Sequence, residues 1–233
     1  MKSLISRVLW NMKKNIPGVD RRRIKSYLAK NEVRKVHVGC GANILNGWLN
    51  LDYWSRWKIY SYVQPVSVSH IDATGAFPFK NDEIDYVFSE HMIEHITFPQ
   101  GMNMLAECYR ILKPGGKLRI STPDLSFLID LYKSEKSEIQ KSYIKWSTDT
   151  FIKEAPCCEE VFVINNFVRD WGHHFIYDER LLRYSLERSG FAEITKCKLR
   201  ESDHDELRNL ENESRMPKGF LSLESLTLEA TKI

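Results

Sequence analysis

A doubly wound α/β fold with a seven-stranded, mostly parallel sheet is the architecture the sequence predicts, on three observations. From residue 34 onward, short apolar segments alternate with helical stretches, the pattern of parallel strands joined by helical crossovers. The first four of those segments end in glycines or acids, and a doubly wound sheet binds ligands outside the carboxyl ends of its strands. Only ten residues separate Gly41 from Asp52. That is too few for a full helix between parallel strands, so the first crossover is predicted to be shortened to a turn.

Arg34–Gly39 (RKVHVG) reads as the first strand and is stopped by glycine. Trp48–Asp52 (WLNLD), Val66–Asp72 (VSVSHID) and Ile84–Ser89 (IDYVFS) follow as strands two to four. Residues 99–112 predict a helix with Met104, Leu105, Cys108, Ile111 and Leu112 on one face, ended by Lys113-Pro114-Gly115-Gly116. Lys117–Thr122 (KLRIST) is the fifth strand, and Pro123-Asp124 opens a helix that turns Leu125, Leu128 and Ile129 inward. Residues 133–158 read as charged and irregular. A helix over 178–189 is capped by Asp178 and closed by Gly190. Ala192–Leu199 and Leu226–Ile233 are the last two strands, with 202–224 a polar loop or short helix between them.

The 233 residues are 42% hydrophobic and 28% charged, which fits one large domain, or a domain and an extension, and excludes a disordered or collagenous chain. No apolar run approaches the roughly 18 residues of a membrane span. The five cysteines include no C-x-x-C pair, so reduced thiols and a cytoplasmic setting are expected, and Cys157-Cys158 lacks the second pair that a zinc site needs. The net charge of +3 is uneven: residues 1–35 hold eleven Lys or Arg against two acids, a balance of +9 that leaves −6 on the rest. Residues 1–32 read as a basic amphipathic extension and 33–233 as the domain. Within 3–16, Leu4, Ile5, Val8, Leu9, Met12 and Ile16 keep helical spacing, with Ser3 as cap and Pro17-Gly18 as stop. Such a helix packs on its own domain, on a protein partner or on the anionic inner face of a membrane. Arg21-Arg22-Arg23 is too short a run to predict a nucleic-acid partner.

The strand ends carry the chemistry. The first closes on Gly39-Cys40-Gly41, the second on Asp52, the third on Asp72 followed by the small Ala73, and the fourth on Ser89-Glu90-His91. A Walker lysine is absent, which argues against a nucleoside-triphosphate site. VHVGCG (36–41), NLD (50–52), IDATGAFPFKNDEIDYVFSEHMIEHI (71–96) and ECYRILKPGGKLRISTPD (107–124) together resemble the class I S-adenosylmethionine-dependent methyltransferases, whose fold is Rossmann-like with an antiparallel last strand. Gly47-Trp48-Leu49-Asn50-Leu51-Asp52, Gly172-His173…Tyr177-Asp178 and Leu207-Arg208-Asn209-Leu210-Glu211 are most similar to a bacterial group of small-molecule and glycan methyltransferases. The resemblance covers residues 34–233 and leaves the basic arm outside it.

By this resemblance Gly39, Cys40 and Gly41 would pass under the methionine part of S-adenosylmethionine and Asp52 would hold its ribose. Asp72 and Ala73 would face the adenine, and Glu90 and His91 would line the methionine end. His173 would be the base for an acceptor hydroxyl of a small molecule or glycan, with His174 as second candidate. No metal is expected. Three other readings stay open: a nucleic-acid or protein methyltransferase anchored by the arm, a cofactor-binding module without turnover, and a zinc hydrolase. The last rests on His91-Met92-Ile93-Glu94-His95, an H-x-x-E-H pattern whose histidines would share a helical face and bind zinc, with Glu94 as base.

Overall fold

The computed structural model describes residues 17–53 and 68–233. Its sheet consists of β1 (Lys35–Val38), β2 (Leu49–Asp52), β3 (Val68–His70), β4 (Ile84–Glu90), β5 (Leu112–Pro123), β6 (Phe191–Cys197) and β7 (Ser225–Lys232), in the order β3-β2-β1-β4-β5-β7-β6. Strands β1 to β5 pair in parallel, and β7 runs antiparallel between β5 and β6. The chain winds outward from β1 to β3 and then returns to β4. The switch point therefore lies at the carboxyl ends of β1 and β4, where ligands of such sheets bind.

The shortened crossover is present. Residues 39–48 form turns without a helix, yet Val36 pairs with Leu49 in parallel register. The chain manages this by folding straight back: the Gly39 and Cys40 amides both donate to the Leu51 carbonyl, at 2.9 and 3.0 Å. Apolar cover comes instead from Trp48, Leu207 and Leu210, which pack on Phe88 of β4.

Helix α1 (Pro17–Lys30) begins where the sequence suggests a stop. Proline's fixed φ and missing N–H are tolerated at a first helical position, so Pro17 starts a helix as readily as it ends one. Ile24 of α1 enters the main core, the Tyr27 hydroxyl hydrogen-bonds both the N–H and the carbonyl of Lys35, and Arg23 donates to the Val68 carbonyl. The helix expected over 3–16 lies outside the described residues.

The main core holds α2 (Phe98–Ile111) and α6 (Glu179–Arg188) against the sheet through Met104, Leu105, Ile111, Leu182 and Leu186. Between β5 and α6 stand α3 (Leu125–Leu131), α4 (Glu138–Phe151) and α5 (Glu160–Arg169), which share a second core of Phe127, Leu131, Tyr143, Val163 and Phe167 with Phe220 of α7 (Phe220–Glu224). Residues 133–158 are thus more regular than their charge suggests. The signal is a capping box: the Ser137 amide donates to Gln140 Oε1 at 2.9 Å while its hydroxyl accepts from the Gln140 amide. No helix among the described residues is long and apolar enough to cross a membrane.

His37 of β1 is fully buried with its ring 4.8 Å from Phe88, and burial pushes its pKa down to about 3. Its folded pKa lies below its unfolded value, so the stability it contributes is present above pH ~6.5 and lost as the pH falls toward 3, at about 1.4 kcal/mol per pH unit. Urea unfolding between pH 7 and 5 should show the wild type losing about 2 kcal/mol more than His37→Phe; equal slopes would refute the assignment.

Candidate active site

The turn after β1 is built from left-handed backbone, with Gly39 at φ +71° and Gly41 at φ +52°. A Cβ on Gly39 would lie 2.2 Å from Met92 Cγ, so only glycine fits beneath that side chain. A Cβ on Gly41 would meet nothing within 4 Å, which leaves open space over the turn. Between them Cys40 is buried, and burial with the Asp52 charge pushes its thiol up to about 12, so it stays protonated.

Asp52 closes the turn from below. One carboxylate oxygen accepts the Gly41 amide at 2.9 Å and the other accepts the Tyr53 amide at 2.6 Å. Each oxygen keeps a further lone pair, so the carboxylate can clamp the turn and still accept from two hydroxyls. Asp72 sits two residues beyond β3 and is exposed; one of its oxygens accepts from the Thr74 amide and hydroxyl, at 3.0 and 2.6 Å. Ala73 beside it packs against the core.

Glu90, the last residue of β4, is more enclosed than the sequence suggests. One oxygen accepts from Asn43 Nδ2 at 2.9 Å and the other from the Asn212 amide at 3.1 Å. Burial raises its pKa, with Arg215 opposing. Glu90 therefore ties the glycine turn to residues 198–212, which a second buried network holds in place. Arg119 of β5 donates to Glu211 at 2.6 Å, to Glu229 at 2.5 Å and to the carbonyls of Glu201 and Lys198. The side chains of Asn43 and Arg119 and the backbone amide of Asn212 went unseen in the sequence as contributors, because each meets Glu90, Glu211 or Glu229 only through long-range packing.

His91 has φ +45° and turns its ring inward, with Nε2 2.8 Å from Ser225 Oγ. The helix required by the H-x-x-E-H alternative does not form: Ile93–His95 is a single 3-10 turn, and Thr97 caps a new helix at Phe98. His95 instead faces the segment after α5. Its Nδ1 lies 3.3 Å from the Gly172 carbonyl, and its ring meets that of His173 at 5.0 Å. The Glu94 carbonyl accepts the His174 and Phe175 amides, at 2.7 and 3.2 Å, and fixes this juxtaposition.

These residues floor a cleft of about 220 Å³ at the carboxyl ends of β4 and β5. Glu94, His95 and His173 form its polar corner, Trp146, Phe151 and Trp171 an aromatic wall, and Arg215 and Glu224 the opposite side. His173 reaches the cleft, with Nδ1 2.6 Å from the Phe167 carbonyl, and burial holds its pKa below the ordinary value. His174 does not: its side chain is exposed and does not line the cleft. Glu94 is fully buried, and burial pushes its pKa up to about 8. A larger, open concavity of about 750 Å³ lies against β6 and β7, among Lys117, Thr195 and Arg208. It is remote from the switch point, so the smaller cleft is the one the topology marks.

Residues 36–120 match the model of a family described as a methyltransferase domain. The fold is that of S-adenosylmethionine-dependent methyltransferases. A methyltransferase of this class from Archaeoglobus fulgidus is 16% identical, with a TM-score of 0.50 over 92% of this chain and 93% of that one. Another from Thermotoga maritima is 18% identical, with a TM-score of 0.47 over 100% and 97% of the two chains. No curated protein matches the chain by sequence. The matched span runs from β1 to Ile120 of β5, so it contains the glycine turn, Asp52, Asp72, Glu90 and Glu94. The cleft is completed from outside that span, by α4, the 171–173 turn and Arg215.

Proposed function

We propose that the methyltransferase moves a methyl group from S-adenosylmethionine to a hydroxyl oxygen of a small molecule or of the terminal residue of a glycan. S-adenosylmethionine supplies a methyl already activated on a sulfonium, so positioning does most of the work. The observation that carries the reading is the neighbourhood of two sites: a glycine turn clamped by Asp52, and the His173 cleft one strand away. The open space over Gly41 admits a close-lying ligand, and Asp52 keeps acceptor capacity for ribose hydroxyls. Ala73 offers a flat apolar neighbour to an adenine, while Glu90 and His91 shape the methionine end.

The acceptor lies in the cleft. At about 220 Å³ it is smaller than the ~300–1,000 Å³ of drug-sized sites, which suits one ring rather than a polymer segment. Trp146, Phe151 and Trp171 give that ring apolar faces to stack on. The His173 Nδ1 faces a carbonyl, which can only accept, so Nδ1 carries the proton and Nε2 is the basic nitrogen. In the metal-free protein that nitrogen takes the hydroxyl proton as the oxygen attacks. The excess of basic residues over 1–32 fits an acceptor held at an anionic membrane surface, such as a lipid-linked glycan.

Radiolabelled S-adenosylmethionine offered with a panel of sugars, glycans and phenols should label at least one hydroxyl acceptor. His173→Ala should lower kcat about 10²–10⁴-fold with little change in cofactor affinity. Labelling confined to nucleic acid or protein would overturn the acceptor assignment.

A further inference from the structure

Potential metal-ligating atoms of three cleft side chains converge. His95 Nδ1 faces the Gly172 carbonyl and His173 Nδ1 faces the Phe167 carbonyl. A carbonyl accepts only, so each ring is held with Nδ1 protonated and with its lone pair on Nε2. That is the arrangement in which backbone carbonyls orient metal-binding histidines. The third group is Glu94. Its Oε2 accepts from the Thr122 hydroxyl at 3.1 Å, but its Oε1 is buried without a hydrogen-bond partner. His95 Nε2 lies 3.9 Å from that oxygen, and His91 Nδ1 lies 3.4 Å from it without hydrogen-bond geometry.

We infer that Glu94, His95 and His173 form a site for one divalent first-row transition metal, open to the cleft. One ligand atom from each lies within 4.8 Å of the others. Metal–ligand bonds of about 2.1 Å bring tetrahedral neighbours to roughly 3.4 Å, so binding draws the three groups together by about an ångström. His95 and His173 sit on two separate turns, held side by side by the Glu94 carbonyl and by the His95–Gly172 hydrogen bond. Two imidazoles and one carboxylate with open positions suit Zn²⁺, Fe²⁺ or Mn²⁺ better than Mg²⁺ or Ca²⁺, which prefer oxygen. The pairing differs from the H-x-x-E-H pattern: His91 is engaged with Ser225, and its place is taken by His173, 78 residues beyond His95.

The site deepens the acceptor reading and rests on it for its purpose. A metal there would coordinate the acceptor hydroxyl oxygen and lower its pKa. The O–H bond then breaks with the proton passing to water, and the oxygen's electron pair forms the new C–O bond as the S–CH₃ bond breaks. The metal replaces the bare His173 ring as the source of acidity.

The test is calorimetric titration of ZnCl₂ into the untagged full chain after exhaustive chelation, with Co²⁺ as a spectroscopic substitute. One equivalent should bind, and Co²⁺ should give visible d–d bands. His95→Ala and His173→Ala should each weaken Zn²⁺ binding by at least tenfold. The Cys157→Ser/Cys158→Ser double variant, which removes an exposed competing thiol pair, should keep it. Folding is checked by circular dichroism, and the cofactor reading separately by S-adenosylhomocysteine binding of the same variants. Absence of Zn²⁺ binding by chain that still binds S-adenosylhomocysteine would overturn the site and leave the methyltransferase reading intact. Zn²⁺ binding lost with His91→Ala but not with His173→Ala would overturn it in favour of the sequence pattern. Zn²⁺ binding with the expected losses but without S-adenosylhomocysteine binding would uphold the site and count against the cofactor assignment.

Discussion

Replacing Arg119 with leucine should cost about 3–5 kcal/mol of stability, the expected loss when one partner of a buried ion pair is removed. Arg119 is fully buried and faces two carboxylates, Glu211 and Glu229, whose side chains are 0% and 9% exposed. Without the guanidinium both acids are stranded in the core, and the carbonyls of Lys198 and Glu201 lose their donor. Burial opposes the guanidinium charge, but the two carboxylates outweigh it and hold its pKa above the ordinary value. The loss should reach the active site too, because residues 198–212 deliver the Asn212 amide to Glu90. Urea unfolding measures the effect. Combining Arg119→Leu with Glu211→Gln and Glu229→Gln should recover much of it, since the uncompensated charges go. A loss under 1 kcal/mol for the single variant would mean that this segment is anchored elsewhere.

The second large effect is expected at Asp52. Hydrogen bonds to a charged group contribute about 1.5–3 kcal/mol each. Losing the two proposed to reach ribose hydroxyls, together with the clamp on the Gly41 amide, should weaken S-adenosylhomocysteine binding by about a hundredfold or more in Asp52→Ala. Ligand at 100 times its Kd stabilises a protein by about 2.7 kcal/mol, a rise in Tm of about 5–10 °C for a chain of this size. Asp52→Ala at the same ligand concentration should shift by about 1 °C. Asp52→Asn should also fail to rescue binding, because its single acceptor oxygen can serve only one of the Gly41 and Tyr53 amides and its NH₂ is set against the other. A full thermal shift in either variant would remove Asp52 from the site.

Much of the fold was legible because its signals are local. The strands, the glycine turn, the ten-residue crossover and the Asp178-to-Gly190 helix are all written in adjacent residues, and the last is found as α6, with Asp178 accepting the Leu181 amide. Local signals also misled or were missed. Helix α1, which begins at Pro17, was not foreseen, and the Ser137–Gln140 box was masked by the surrounding charge of 133–158. The active site divides the same way. Gly39, Gly41 and Asp52 fall together because the crossover is short. The H-x-x-E-H pattern picks out Glu94 and His95 but pairs them with His91; the partnership with His173 and the Arg119 network join residues 78 to 110 positions apart, and no local pattern announces those. His173 and His174 are adjacent in sequence, yet the turn at Gly172 sends only His173 into the cleft.

The central claim is that this chain builds a working S-adenosylmethionine site at the ends of β1, β2 and β4 despite the missing crossover helix. Calorimetric titration of the full chain with S-adenosylhomocysteine tests it most directly. One-to-one binding in the micromolar range is the expected result; titration of folded protein with no heat of binding would contradict it.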